Sequence, residues 1–478
     1  MNPFILIFTP YLLLLIPGIP YQIGLLILWL GLAISSYKWP AETLIPFSFI
    51  ISSYNLIRIK SPDTILLAGF RTEIIFIFIS CILLRKLFKQ KLKVFSLKSI
   101  LFYYFFLWCL ISLIANSSST IELVLAIREN LLVWFLFPFV IPLLEKNYRL
   151  IGLILTFFCL GGALVATFNI IIYYQELLGV QIIPFSSLCN IVTLRGDRAL
   201  LGIPIPRMIS LYCIPPGGGA VYNASLAVTS FFCAKYLCNN QVLKRFLLVS
   251  TCILAFASTL TVSISALGAV VFGNCAVYAR KLRTTQIKNI QRKFNIIISF
   301  IVLAILGAFL FPLEIIGVTT HSNIVSYLSN AFLAWAYEDI RSYGLRDIFF
   351  GQGVFLATGH LLVQTQRATA IVDKWWIMLA NRVGLVGLIF AIMFVVSVIY
   401  KYLTIKLPWE KNIYMICSGS LMFSLLAYIH GCPLIAKPLD YGLMISLASV
   451  LAIARPQKQT KMIAIKGHLI REKNFSNT

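Results

Sequence analysis

Negative charge is scarce in this chain. Against 40 lysines and arginines stand 16 aspartates and glutamates, a formal net charge of +24 over 478 residues. Charge of either sign is sparse, at 12% of residues, while 60% are hydrophobic. No soluble fold carries that balance over such a length. The 11 cysteines form no Cys-x-x-Cys pair and no Cys/His metal spacing, which argues against a zinc module. Asp-x-Asp, His-Glu-x-x-His and Gly-x-Ser-x-Gly are missing, and no base-reading motif accompanies the positive charge. A divalent-metal site, a cofactor site and a nucleic-acid partner are therefore not expected. Internal repeats, heptads and low-complexity tracts are also lacking. Met1 to Ile5 contains no basic residue, so the first apolar run reads as a retained span and not as a cleaved signal peptide.

What fills the chain is a succession of apolar runs close to the ~20 residues that cross a bilayer. The expected fold is an all-α, polytopic transmembrane bundle forming one integral-membrane domain over 1–478. Its spans fall near 4–17, 21–35, 41–56, 64–84, 99–115, 121–143, 150–175, 219–237, 246–260, 262–279, 295–313, 375–400, 412–429 and 438–454. The short pairs 4–17/21–35 and 246–260/262–279 could each be a tilted or re-entrant hairpin, so 12 to 14 crossings are expected. Basic residues set the orientation. The connections 85–98 and 280–294 and the tail 455–478 carry six each, and alternation places 26 of the 40 on one side. The positive-inside bias puts that side, with both termini, in the cytoplasm. The two long polar connections, 176–218 and 314–374, then lie outside. Cys189 and Cys213 share the first of these, where a disulfide between them is one option.

Three groups of residues could carry chemistry. Arg71, Glu73, Glu122, Arg128, Glu129 and Arg382 are ionisable and lie inside spans, where they either pair between helices or line a polar cavity. In the 176–218 segment the basic residues are Arg195, Arg198 and Arg207, ahead of Pro215-Pro216-Gly217-Gly218-Gly219. Arginine's planar fork suits phosphate, and glycine lets a backbone come close, so an anion site and a contact with lipid headgroups are both open. In the 314–374 segment, Asn323 to Tyr343 has the spacing of an amphipathic surface helix. Gly351-Gln352-Gly353 reads as a turn. His360, Arg367, Asp373 and Lys374 follow, and then Trp375-Trp376 opens an unbroken apolar helix. Asp373, at the water edge of that span, is either a general base or half of an ion pair. His360 is either a loop hydrogen-bonder or a second base.

The run Phe349-Phe350-Gly351-Gln352-Gly353, followed by Asp373-Lys374-Trp375-Trp376 and Asn381-Arg382-Val383-Gly384-Leu385-Val386-Gly387-Leu388, resembles the O-antigen ligase/polymerase family. Trp335 upstream of the turn and the Arg207–Asn223 stretch are similar to that family's outer loops. The residue-level likeness covers about 80–100 residues, less than a typical domain. Two positions depart from the pattern. Thr261-Val262-Ser263-Ile264 lacks an arginine, and Asp373-Lys374 stands where ligases carry His-Asn, which favours a polymerase. The resemblance implies a GT-C-like, metal-independent inverting glycosyltransferase in the bacterial inner membrane. Its donor would be a glycan on undecaprenyl pyrophosphate and its acceptor a second lipid-linked glycan, with polysaccharide-export proteins as further partners. Asp373 or His360 would be the base. Arg207, Arg195, Arg198, Arg367 and Arg382 would hold the substrate. Transfer of glycan to lipid A core, and transport or flipping of a lipid-linked or anionic solute, are the alternatives.

The orientation is open to labelling. A cysteine introduced at Gln352 is expected to react with an impermeant maleimide added outside, and one at Lys288 is not. The reverse pattern overturns the assignment of sides.

Overall fold

In the computed structural model, residues 2–15, 21–57, 64–89, 100–117, 120–180, 199–200, 203–204, 208, 216–261, 263–284, 345–351, 375–428, 434 and 439–454 are described. They are helical almost throughout. The helices are α1 (Pro3–Leu15), α2 (Tyr21–Lys38), α3 (Pro40–Ser53), α4 (Thr64–Lys89), α5 (Ile100–Asn116), α6 (Thr120–Ala126), α7 (Leu132–Phe135), α8 (Phe137–Lys146), α9 (Leu150–Leu178), α10 (Pro216–Tyr236), α11 (Gln241–Leu260), α12 (Ile264–Thr284), α13 (Leu345–Phe350), α14 (Trp375–Thr404), α15 (Trp409–Leu426) and α16 (Leu439–Ile453). One two-residue antiparallel ladder pairs Ala199 with Pro204 and Leu200 with Ile203. Among the described residues three stretches are long and apolar enough to cross a membrane: Leu150–Gln175, Gln241–Leu260 and Arg382–Thr404. Four shorter apolar helices accompany them.

Helix limits follow the apolar runs, with two corrections. The 121–143 run is not one helix. A π-turn at Ile127–Leu131 separates α6 from α7, and α8 starts afresh with Pro138 in its first turn. The 375–400 run is broken at Gly384 (φ 71°, ψ 177°). The expected span 295–313 and the amphipathic helix at 323–343 lie outside the described residues.

Side chains are distributed inside out. On α11, Val242, Phe246, Val249 and Phe256 form an exposed stripe at helical spacing, and Leu385, Ile389, Ile392 and Val396 do the same on α14. Serine, threonine and asparagine instead fill the interior, among them Ser48, Ser52, Asn55, Asn223, Ser225, Thr229, Ser420 and Ser446. A contiguous apolar exterior of this kind marks a surface that meets lipid or another apolar partner.

α3 is the hub of the interior. Three serines on it each meet a tyrosine from another helix. Ser48 Oγ lies 2.8 Å from Tyr441 Oη, Ser52 Oγ 2.9 Å from Tyr222 Oη, and Ser53 Oγ 2.7 Å from Tyr11 Oη. Each serine gives its own proton to a carbonyl: Ser48 to Leu44, Ser52 to Phe158 and Ser53 to Phe49, all at 2.7 Å. A hydroxyl has one proton. The Ser48 and Ser52 contacts are therefore donated by the tyrosines, so α16 and α10 are fastened to α3 in a defined direction. Tyr11 ties α1 to the same helix by donating to the Ser53 carbonyl at 2.8 Å.

Among the described residues, Arg71 and Glu73 meet opposite charges from other elements. Arg71 of α4 forms a salt bridge with Asp440 at the start of α16, 369 residues away, and the two side chains are 5% and 1% exposed. Asp440 also accepts from the Tyr441 backbone N–H at 2.7 Å. Glu73 lies within Coulombic reach of Arg128 in the π-turn. Arg280, expected in a basic surface connection, is instead inside the bundle. It donates to Asn412 Oδ1 and to the Tyr402 carbonyl, both at 2.6 Å.

Removing one partner of a buried pair leaves an uncompensated charge, at a cost of about 3–5 kcal/mol. Asp440→Ala is expected to lower the thermal midpoint of the detergent-solubilised protein sharply. The double variant Arg71→Met/Asp440→Leu should recover most of the loss. Equal loss in single and double variants would show that the pair does not act as a unit.

Candidate functional site

The two glycine motifs singled out in the sequence come into contact. Gly351 ends α13 with φ 72°, and Gly384 breaks α14 with φ 71°. Glycine alone adopts the Gly384 combination of φ and ψ without strain. Space is equally restricted. A methyl on Gly384 would stand 1.9 Å from the Phe349 carbonyl oxygen, and one on Gly351 would stand 2.6 Å from the Arg382 carbonyl and the Gly384 nitrogen. The backbones touch here because neither residue has a side chain.

The break leaves helix-end carbonyls without intrahelical donors. A single stripe of α5 supplies them. Trp108, Ser112 and Asn116 stand at i, i+4 and i+8, on one face of the helix. Trp108 Nε1 donates to the Val383 carbonyl at 2.9 Å. Ser112 Oγ lies against the Phe350 carbonyl and 3.2 Å from that of Arg382. Asn116 Nδ2 donates to the Ser112 carbonyl at 2.9 Å and to Phe350 at 3.3 Å. The Trp108 indole stacks on Phe350, centroids 5.3 Å apart at 6°. The Arg346 guanidinium donates to the Ala115 carbonyl, at the end of the same stripe. Gly387 completes the fit, because a methyl there would come within 2.8 Å of the Trp108 ring.

Of the expected site residues, Arg382 lies in this seam. Its carbonyl accepts from Ser112 and its side chain is half-buried. Asp373, His360, Arg367, Arg195, Arg198 and Arg207 lie outside the described residues, as do Cys189 and Cys213. Their immediate neighbours are fixed at several points. Gly351 is the last described residue before 352–374, and α14 begins at Trp375. Met208, which follows Arg207, is buried, and its N–H donates to the Leu260 carbonyl at 3.0 Å. The α10 start is held to the same end of α11 by Ser258 Oγ donating to Ala220 at 3.0 Å. Among the described residues, then, Met208 is held to the end of α11 and Gly351 to the break in α14.

Sequence reasoning missed Trp108, Ser112 and Asn116. The available signal was their four-residue spacing within the otherwise apolar run 100–116. It also missed Asp440, an acid at the head of an apolar run, as the partner of Arg71. No family model, curated protein or solved structure matches the chain.

Two glycine substitutions separate close approach from backbone conformation. Gly179 also has positive φ (66°), but nothing lies within 4 Å of a methyl placed there. Gly179→Ala is expected to cost about 1 kcal/mol, the ordinary penalty for that backbone region. Gly384→Ala should cost several times more, because backbone must move, and should lower the thermal midpoint further. Equal costs would mean that the contact with Phe349 is not tight.

Proposed function

We propose that the chain is a multi-pass glycosyltransferase of the bacterial inner membrane that polymerises undecaprenyl-pyrophosphate-linked glycan units at the outer face. The observation that carries this reading is the seam. The Gly-x-Gly turn at 351 and the Gly-Leu-Val-Gly step at 384, which the sequence likeness to O-antigen ligases and polymerases picks out together, pack against each other through Gly351 and Gly384. The lipid-ready exterior supports the membrane setting, and so does the sorting of contacts between helix ends. Arg85 donates to the Tyr37 and Lys38 carbonyls at 2.9 and 2.8 Å, joining positions that alternation assigns to the cytoplasmic side. The α5–α13–α14 seam, the Arg71–Asp440 pair and the Met208–Leu260 bond all join positions assigned to the outer side. A 12–14-span, GT-C-like bundle accounts for these contacts.

The chemistry requires two things. The acceptor hydroxyl must lose a proton as its oxygen attacks the anomeric carbon, and the departing pyrophosphate must have its charge stabilised. In this reading Asp373 takes the proton, with His360 the second choice. Arg207, assisted by Arg195 or Arg198, receives the pyrophosphate, and Arg367 and Arg382 supply further contacts. Inversion follows from a single displacement. The products are the elongated lipid-linked glycan and the free polyprenyl pyrophosphate. A transporter of a lipid-linked solute is the second reading, favoured by the buried Arg71–Asp440 pair. Turnover by the pure protein in detergent, with no second compartment, separates the two.

A general base contributes about 10²–10⁴-fold. Asp373→Asn is expected to nearly abolish the ladder formed on extending lipid-linked repeat units, while His360→Ala retains much of it. Arg207→Lys should also be severe, since an ammonium cannot reproduce the two-pronged guanidinium contact, whereas Arg283→Lys should be silent. A ladder that survives Asp373→Asn and is lost in His360→Ala reverses the assignment of the base. Survival in both removes the proposed mechanism.

A further inference from the structure

Three helix ends meet around Arg280, and no step of the proposed reaction uses them. Each pair of helices is joined by its own contact. Arg280 Nε of α12 donates to Asn412 Oδ1 of α15 at 2.6 Å. The adjacent Lys281 puts its ammonium 4.9 Å from the centre of the Tyr236 ring, at the end of α10. That ring meets the Trp409 ring of α15 edge-on, centroids 6.2 Å apart. Lys235 of α10 lies 5.8 Å from the centre of the same tyrosine ring. Two lysines from different helices thus converge on one aromatic ring, beside a buried arginine.

Two donors in this junction have nothing to donate to. Asn412 is 0% exposed. A guanidinium only donates, so the Asn412 oxygen faces Arg280 and the amide nitrogen points away from it. That nitrogen makes no hydrogen bond, and neither does the Tyr236 hydroxyl, which is also shut off from solvent. Buried donors are almost always paired, so two at one place call for an acceptor. The surrounding charge calls for an anionic one. α10 and α12 contain no acidic residue. The single acid of α15, Glu410, is exposed and shares a face with Tyr414, four residues on, away from Trp409 and Asn412. The rim of the junction is apolar. Phe231, one turn before Lys235, is 41% exposed, with the Lys235 ammonium 5.7 Å from its ring, and Trp409 is 51% exposed. A lysine whose stem lies along an outward-facing ring carries its charge to the level of the lipid headgroups.

We propose that the α10–α12–α15 junction holds the phosphodiester of an anionic phospholipid, whose acyl chains run along Phe231. Lys235 and Lys281 swing from the Tyr236 ring to the phosphate oxygens. Tyr236 Oη and Asn412 Nδ2 donate from behind, and Arg280 holds the Asn412 amide in the donating orientation. Charge-assisted bonds to phosphate are stronger than neutral ones, and basic pockets between membrane helices suit such headgroups. Alternation assigns all three helix ends to the cytoplasmic side, so the lipid belongs to the inner leaflet. A free phosphate offers the same oxygens but nothing to cover Phe231 and Trp409, which favours the lipid. The proposal rests on the membrane setting and on none of the glycosyltransferase chemistry.

The test is native mass spectrometry of the full chain in detergent micelles, with dioleoyl phosphatidylglycerol, dioleoyl phosphatidylcholine or inorganic phosphate added. A retained adduct with phosphatidylglycerol is expected, and none with phosphatidylcholine. Millimolar phosphate should not displace it. Lys235→Gln/Lys281→Gln should weaken the adduct at least about tenfold. Lys244→Gln/Arg245→Gln, which removes the same charge from α11, should leave it unchanged. Tyr236→Phe should weaken it severalfold while the thermal midpoint of the lipid-free protein stays where it is, because the lost hydroxyl had no partner. Equal adducts with the two lipids, or equal losses from the two charge-removing pairs, overturn the site. Displacement by phosphate overturns the lipid as its source. A lowered midpoint in Tyr236→Phe with the adduct intact overturns the role of the hydroxyl.

Discussion

The polar contacts described inside this bundle join its own helices to one another, because those helices turn apolar faces outward. That constraint decides where chain irregularities occur. α14 breaks at Gly384 only where Trp108 and Ser112 reach the exposed carbonyls of Val383 and Arg382. The serines of α3 pass their protons to carbonyls and accept from tyrosines of α16 and α10. Arg71 is neutralised by Asp440 of a different helix. In an apolar surrounding an unsatisfied dipole costs several kcal/mol, more than most packing changes. The polar contacts therefore set the geometry, and the apolar surfaces adapt to it.

The helices themselves were legible in the sequence, because apolar run length is a local property. The limits of α1, α3, α5, α9 and α16 fall within a few residues of the expected spans. Departures arose where a distant residue decides local shape. Nothing between Trp375 and Tyr400 signals a break, since glycine is common within apolar helices. Gly384 leaves helical geometry because α5 is placed to receive it. The π-turn at Ile127–Leu131 and the inward turn of Arg280 have the same character. The Arg71–Asp440 pairing spans nearly the whole chain, and one sequence cannot specify such a partner.

For the candidate site, sequence pattern identified Gly351 and Gly384 as important but not that they touch. The contact depends on three side chains of α5 that carry no motif. Ser112 and Asn116 are ordinary residues whose role comes from the four-residue spacing beneath Trp108. Arg382 was picked out for its charge. The part of it that the seam uses is its carbonyl, which any residue could have supplied.

The interruption of α14 also has a mechanical consequence. A continuous helix is a stiff rod that transmits twist and thrust along its length. At Gly384 the rod is cut, and the short piece from Trp375 to Val383 is joined to the long piece by one pliable backbone unit and by its hold on α5. The short piece is tied to α5 at Trp108 and Ser112 before the remaining turns of α14 begin. The far end of that helix, with Tyr402 set against Arg280, is held by contacts separate from those of the seam. The seam holds α14 at its break, so the two pieces of the helix are placed by different neighbours.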